Sequence, residues 1–249
     1  MAFQLDGTKI LSTRCVAEGL DNGCHQIDFI GDKLHVVDTY QQRIIVYSPC
    51  FQEAKTYYPM PSAAYKSWDK GYVHCNSLLG VGKYILLLLH NGGKDTGRPS
   101  RVLVCNQALQ PIHQFLLPGK GCHNLLVLED GSLLVCNSLS GTLISHERKL
   151  VQVDNMMTRG LSVDQDQIVV GSSVYATRRN RIDIPGRVHF FNRDFERIST
   201  LELPAAPTDI RRIDGKDLSI SNYAKSVTLT PASLAFLGAV AAAKLDTLC

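Results

Sequence analysis

Three histidines in this sequence stand in nearly the same setting. They are His25 in NGCHQIDF, His74 in YVHCNSLL and His123 in KGCHNLLV, each just before a strand-like run. Neutral imidazoles that converge from separate segments, with coordination positions left open, are how a catalytic zinc or iron(II) ion is held. Such an ion polarises a substrate or activates water. Histidines in this setting can instead hydrogen-bond backbone groups or bind an anion. Which chemistry applies depends on the elements that position them.

Five segments share one pattern: an apolar strand, a turn with Gly or Asp, then a second and more hydrophobic strand ending in small polar residues. They begin at His25, His74, His123, Thr158 and Thr208, at separations of 49, 49, 35 and 50 residues. Third strands such as RIIVYS, RVLVCN and RVHFFN follow in the first four units, and a fourth run often ends in proline, as in TYYP, FLLP and LELP. Four short strands per unit at such periods are the signature of β-propeller blades. The expected fold is therefore an all-β propeller in a single domain spanning residues 1–249. Five blades are expected, and a sixth built around residues 1 to 19 is the alternative count. The orphan strand TKILSTRC, residues 8 to 15, is expected to complete the last blade and close the ring, leaving no exposed edge. Thr230 as N-cap and Pro231 at the first helical position predict a short C-terminal helix over about 231–246.

In a propeller the first strand of each blade lines the central channel, so its first residue sits at one rim. That register holds His25, His74 and His123 in three consecutive blades, and these are the candidate metal ligands. The ends of the second strands fall on the same face: Asp38 with Thr39, His90 with Asn91, Asn137 with Ser138. Asp, Asn and Ser are also preferred turn residues that satisfy local backbone groups. His90 follows five apolar residues where other units have Asp or Asn, which makes His90 and Asp38 the candidates for a general base. Asn137 is a candidate substrate contact. Cys24, Cys75 and Cys122 flank the rim histidines and are read as packing residues, because neighbours on a strand face opposite sides. His35, His113, His146 and His189 are read as structural or solvated.

Two long loops reach the same face, where ligand contacts concentrate. PSAAYKSWDKGY, residues 61 to 72, brings Trp68 and Tyr72, and VYATRRNRIDIPG brings Arg178 and Arg179. Clustered arginines suit a carboxylate or phosphate held bidentately, although a solvated basic loop reads the same way.

Composition excludes several classes. A chain of 249 residues with 45% hydrophobic and 20% charged residues is an ordinary globular one, and a net charge of +3 gives no argument for nucleic acid. No apolar run approaches the roughly 20 residues that span a bilayer, and the amino terminus lacks a signal pattern. Eight cysteines without a CxxC pair are read as reduced thiols in a cytoplasmic protein. Nucleotide-binding, serine-hydrolase and zincin motifs do not occur.

The unit CHNLLVLEDGSLLVCNSLSGTL, with its DG turn and CNS end, resembles a blade of the NHL-repeat and gluconolactonase/strictosidine-synthase-like propellers. The arrangement of His25, His74 and His123 is similar to the zinc-binding histidines, from different blades, of the peptidylglycine amidating lyase domain. The resemblance implies a propeller over about residues 8 to 230 with a divalent metal. The function expected is a metal-dependent lyase or hydrolase acting on a small anionic molecule at the channel mouth. The alternative is a non-catalytic propeller that presents its loop face to a protein or glycan, with Trp68 and Tyr72 in an aromatic contact patch.

Overall fold

The second strand of the second repeat is apolar from end to end, and its residues are buried on both faces. The computed structural model describes residues 1–20, 23–60, 72–91, 97–129, 131–145, 149–213, 217 and 220–221. Within them, strands β1 (Ala2–Asp6) and β2 (Lys9–Arg14) form a hairpin, and four antiparallel four-stranded sheets follow. The first is β3 (Cys24–Ile30), β4 (Lys33–Asp38), β5 (Arg43–Tyr47) and β6 (Ala54–Tyr57). The second is β7 (Cys75–Val81), β8 (Tyr84–Leu89), β9 (Arg101–Asn106) and β10 (Pro111–Leu116). The third is β11 (His123–Val127), β12 (Leu133–Asn137), β13 (Thr142–Ile144) and β14 (Leu150–Gln152). The fourth is β15 (Met157–Val163), β16 (Gln167–Ser173), β17 (Gly186–Asn192) and β18 (Arg197–Leu203). Strands pair in sequence order within each sheet, and β7 packs between β3 and β11 while β11 also meets β15. This is a β-propeller, with four blades in the described residues.

The core is the set of seams between blades. In β8, Leu86 and Leu88 pack with Leu125 and Val135 of the third blade, while Ile85, Leu87 and Leu89 pack with Val37 and Ile44 of the first. A strand sandwiched between neighbouring sheets has no polar face, which is why YILLLL lacks the usual alternation. Leu126, Leu134 and Leu143 meet Leu161, Val170 and Phe191 in the third seam. Burying one such side chain contributes roughly 1.5–3 kcal/mol.

Each channel strand carries one irregularity near its start, after the first ladder pair in β3, β7 and β11 and after the second in β15. Cys24 faces Asp38 but Gln26 faces Val37; Cys75 faces Leu89 but Ser77 faces Leu88. His123 faces Cys136 but Leu125 faces Val135; Thr158 faces Ser172 but Leu161 faces Val170. The bulged residues are thus His25, Asn76, Asn124 and, with Gly160, Arg159. A bulge re-aims a side chain at a barrel rim or beside a site. Side-chain bonds also tie successive channel strands together. Gln26 Oε1 accepts from the Leu78 N–H (2.9 Å), Ser77 Oγ from the Asn124 N–H (3.0 Å), and Asn124 Oδ1 from the Gly160 N–H (2.9 Å).

Among the described residues the expected closure by residues 8 to 15 is not made. Residues 9–14 pair with 2–6 instead, because Gly7, at φ +56°, permits a two-residue hairpin turn. Every residue of this hairpin is exposed. The fifth repeat shows no strand among its described residues, which include Thr208–Ile213, Asp217 and Ser221; the rest of it, and the helix expected over about 231–246, lie outside them. Ser221 meets the first two channel strands: its N–H and Oγ–H donate to Asp28 Oδ2 at 3.0 and 2.6 Å, and its Oγ accepts from the Gly80 N–H at 2.8 Å. No helix among the described residues is long and apolar enough to cross a membrane.

Candidate functional site: a histidine row at the channel mouth

The three rim histidines come from three different registers. His123 is the first ladder residue of β11, His25 is the bulged residue of β3, and His74 precedes the ladder of β7 in a left-handed conformation, φ +51°. A non-glycine residue held there is strained by roughly 1 kcal/mol or more, a cost that tends to persist at functional sites. His90, just past β8, lies across from His74, and its N–H donates to the His74 carbonyl at 3.2 Å. The result is a row. His25 meets His74 edge to face (ring centroids 4.8 Å apart), His74 stacks flat on His90 (4.3 Å), and His90 meets His123 edge to face (4.6 Å).

Backbone carbonyls fix where the protons sit. His25 Nδ1–H donates to the Gly23 carbonyl (2.8 Å), which leaves Nε2 as an acceptor. His74 Nε2 lies 3.2 Å from that atom and so carries the proton between them; its Nδ1 then accepts from the Tyr72 hydroxyl at 3.1 Å. His90 Nε2–H donates to the Cys122 carbonyl at 2.8 Å. His123 Nδ1–H is shared between the Gly121 carbonyl (2.9 Å) and Ser138 Oγ (2.8 Å), and its Nε2 accepts from Arg159 Nη2 at 2.7 Å. Two glycines make this possible. A Cβ on Gly23 would overlap the Tyr40 ring, and one on Gly121, at φ +58°, would press on Leu139.

Burial keeps the inner histidines neutral. His90 is pushed down to about 3 by burial, helped by the charges of His25 and Arg159, against its bond to Cys122. Burial, followed by the Arg159 guanidinium, holds His123 well below the ordinary imidazole range. Arg159 is only 8% exposed. It lines a cavity of about 430 Å³ at the mouth with His25, Asn76, His123 and Asn124; Arg181, Ile182, Thr208 and Asp209 complete its rim.

Other expected site residues go elsewhere. Asp38 is fully buried, with Oδ2 accepting from Arg43 Nε at 2.7 Å, and it does not line the cavity. His90 is one layer behind the cavity wall. Tyr72 is buried against His74 and orients it. Asn137 bonds the Lys120 N–H (3.1 Å) and Thr142 Oγ1 (3.0 Å), inside the third blade. The arginine-rich loop does reach the cavity, but through Arg181 and Ile182, while Arg179 is exposed on the 3-10 turn Arg178–Asp183. Trp68 and His146 lie outside the described residues. Cys75 and Cys122 are buried in seams with their thiols pushed up by burial, Cys122 to about 12, as packing residues should be.

Arg159 is the residue that sequence reasoning missed. Its signal is positional: aligned on the last ladder residue before each bulge, Cys24, Cys75, His123 and Thr158, the next column reads His25, Asn76, Asn124 and Arg159. All four line the cavity.

As for metal, among the described residues no group of three His, Cys, Asp or Glu side chains is arranged to hold an ion. His25 and His74 do fit as a pair. Their Nε2 atoms are 3.2 Å apart, close to the roughly 3.3 Å between two nitrogens each about 2.0 Å from one tetrahedral ion. The Gly23 carbonyl and the Tyr72 hydroxyl hold the far nitrogens of these two rings, the usual support of ligating histidines. His123 does not fit as it stands, because its remaining nitrogen faces a guanidinium.

Fold and mouth together define a β-propeller with a cationic, histidine-lined channel mouth. No family profile matches the sequence, and no curated protein is significantly similar to it. Among solved structures the chain is similar to the hydrazine synthase of Kuenenia stuttgartiensis, at 14% identity over 79% of this chain and 53% of that one, with a TM-score of 0.47. This chain therefore spans about half of that one. It is similar to a candidate gluconolactonase at 12% identity over 79% and 83% of the two chains, TM-score 0.44. It is also similar to a calcium-binding regucalcin of Agrobacterium tumefaciens, at 8% identity over 80% of each chain, TM-score 0.40. Similarity at this level carries no argument about function, which must come from the site.

Proposed function

We propose that the mouth of this propeller is the active site of a hydrolase or lyase for a small anionic molecule, with a divalent ion, zinc or iron(II), held by His25 and His74. The observation that carries the proposal is Arg159, a buried guanidinium donating to His123 on the wall of a cavity. Arg159 and Arg181 both line that cavity, and guanidinium groups on a cavity wall favour a ligand of opposite charge. The ion, when bound, would polarise the substrate or lower the pKa of a water. The rest is done by side chains. Arg159 and Arg181 draw the anion in and orient it, and the bulged amides Asn76 and Asn124 border it. Tyr72 and the Gly23 carbonyl keep the two ligating imidazoles aimed at each other. His123, held neutral, stays an acceptor for Arg159 and keeps that guanidinium in place.

Calorimetric titration with inorganic phosphate and with acetate tests the anion site. Arg159→Met should weaken binding by about tenfold to a hundredfold, the usual worth of a charge-assisted bond. Arg179→Met, on the exposed part of the loop, should leave it within about twofold, and circular dichroism would confirm that both variants fold. Equal affinity in the wild type and Arg159→Met would contradict the proposal.

A further inference from the structure

Large apolar side chains are left in water at both ends of the blades, and at the mouth end some of them stand beside the cavity. At the mouth end, the loop after β16 exposes Val174, Tyr175 and Ile182 by 49%, 52% and 73%, and the turn after β12 exposes Leu139 by 47%. At the opposite end Ile213 is 61% exposed, while Leu109 is 4% exposed and Phe51 and Phe195 pack onto buried clusters. Single exposed apolar residues are ordinary, but a group of them around a cavity marks a binding surface.

Ile182 belongs to the cavity wall, beside Arg181. The 3-10 turn that carries both is pinned in place. Arg181 Nε donates to the Ala176 carbonyl (3.3 Å), and the Arg181 carbonyl accepts from the Ala206 N–H (3.2 Å). One wall thus sets a cation next to an apolar side chain, and Arg159 adds a second cation to the same cavity. A purely ionic ligand would leave Ile182 and Val174 in water. A polyhydroxylated one would find no hydrogen bond on their side chains.

We propose that the anion taken by this cavity carries an apolar group, an alkyl or aryl substituent that lies on Ile182, Val174 and Tyr175 while its charged head meets Arg159. The proposal deepens the reading of the mouth as an anion-binding site and rests on it. Two probe series test it by calorimetry on the full chain: n-alkyl carboxylates from acetate to octanoate, and n-alkyl phosphates from methyl to hexyl. In the series whose head fits, affinity should rise by roughly fourfold per buried methylene over the first few carbons. Ile182→Ser, a change at an exposed position that leaves folding intact, should remove most of that rise and spare the shortest member. If short anions bind in an Arg159-dependent way but chain length adds nothing, the apolar group is wrong and the anion site stands. If the rise survives Ile182→Ser, the proposed tail position is wrong. If no anion binds at all, the anion-site reading fails and takes this inference with it.

Discussion

Two histidine clusters among the described residues behave in opposite ways. At the mouth, His25, His123 and Arg159 border an open cavity, with His74 and His90 stacked between the two imidazoles. In the seam between the third and fourth blades, His189 Nε2–H lies between Ser172 Oγ (2.8 Å) and Asp154 Oδ2 (3.0 Å), and Ser172 Oγ–H donates to the same carboxylate at 2.7 Å. Arg197 Nη1 (3.1 Å) and Thr200 Oγ1 (3.0 Å) donate to His189 Nδ1. Ser, His and Asp in contact look like a nucleophile with its base, yet Ser172 is fully buried, His189 is 1% exposed, and none of the three lines the mouth cavity. The charges differ as well. In the seam, Asp154 sits between Arg187 and His189. Burial opposes its ionisation, but the bonds from Ser172 and the Asn155 N–H and those two charges hold it below the usual carboxylate range. At the mouth the imidazoles are matched with a cation. The seam is closed to solvent, whereas the mouth opens on a cavity. Access and charge balance separate a site from a staple; residue types alone do not.

The largest effect expected is on stability, in the seam. Asp154→Ala strands Ser172 and His189 in a buried place and should cost about 3 kcal/mol in urea unfolding. His25→Ala, at a half-buried position on the cavity, should cost under about 1 kcal/mol. Similar losses for both would erase the distinction drawn here.

Acid should sharpen it. His90, His123 and His189 all have folded-state values below the ordinary 6.5, through burial first in each case. A lowered base binds fewer protons folded than unfolded, so the stability it contributes is complete above about pH 6.5 and drains as pH falls toward the folded value. For His90 that window runs from 6.5 down to about 3. His90→Gln should flatten the lower part of a stability-versus-pH curve. An unchanged slope between pH 6 and 4 would show that His90 is not neutral in the fold. A smaller effect is expected from Asn124→Ala, which removes one tie between channel strands and should cost about 1 kcal/mol by thermal or urea unfolding. No measurable loss would mean the tie is idle.

Much of the fold was legible because blades repeat. The four-strand units with their DG-type and proline-ended turns declare a propeller, and YILLLL announces a strand buried on both faces. The register was harder to read. LLGVGK contains two glycines, and the hairpin turns at Gly82–Lys83, where Val81 faces Tyr84, rather than at Gly80. That shifts the whole second unit by two residues and hides the column that contains Arg159. Bulges leave no mark in an alternating pattern, because one extra residue merely moves the phase. His25 and His74 were nonetheless brought together, since residues within one position of a strand start still reach the same rim. Asp38 and Asn137 were read correctly as residues at strand ends, but their partners Arg43 and Thr142 belong to the same blade, and strand position cannot tell a local partner from an open cavity. The hairpin made by residues 2–14 was hidden for a similar reason: a strand that can close a ring and one that can fold back on its neighbour have the same composition.

The comparison is tested most directly by titrating tag-free protein with zinc, in the wild type and in His25→Ala, His74→Ala, His123→Ala and His189→Ala. One ion per chain is predicted for the wild type, lost in His25→Ala and in His74→Ala and kept in His189→Ala. His123→Ala should retain it too, because that imidazole is committed to Arg159 at 2.7 Å. Stoichiometric binding that survives the double change His25→Ala/His74→Ala, or a wild type that takes up no ion, would contradict the account of the mouth as a metal-dependent site.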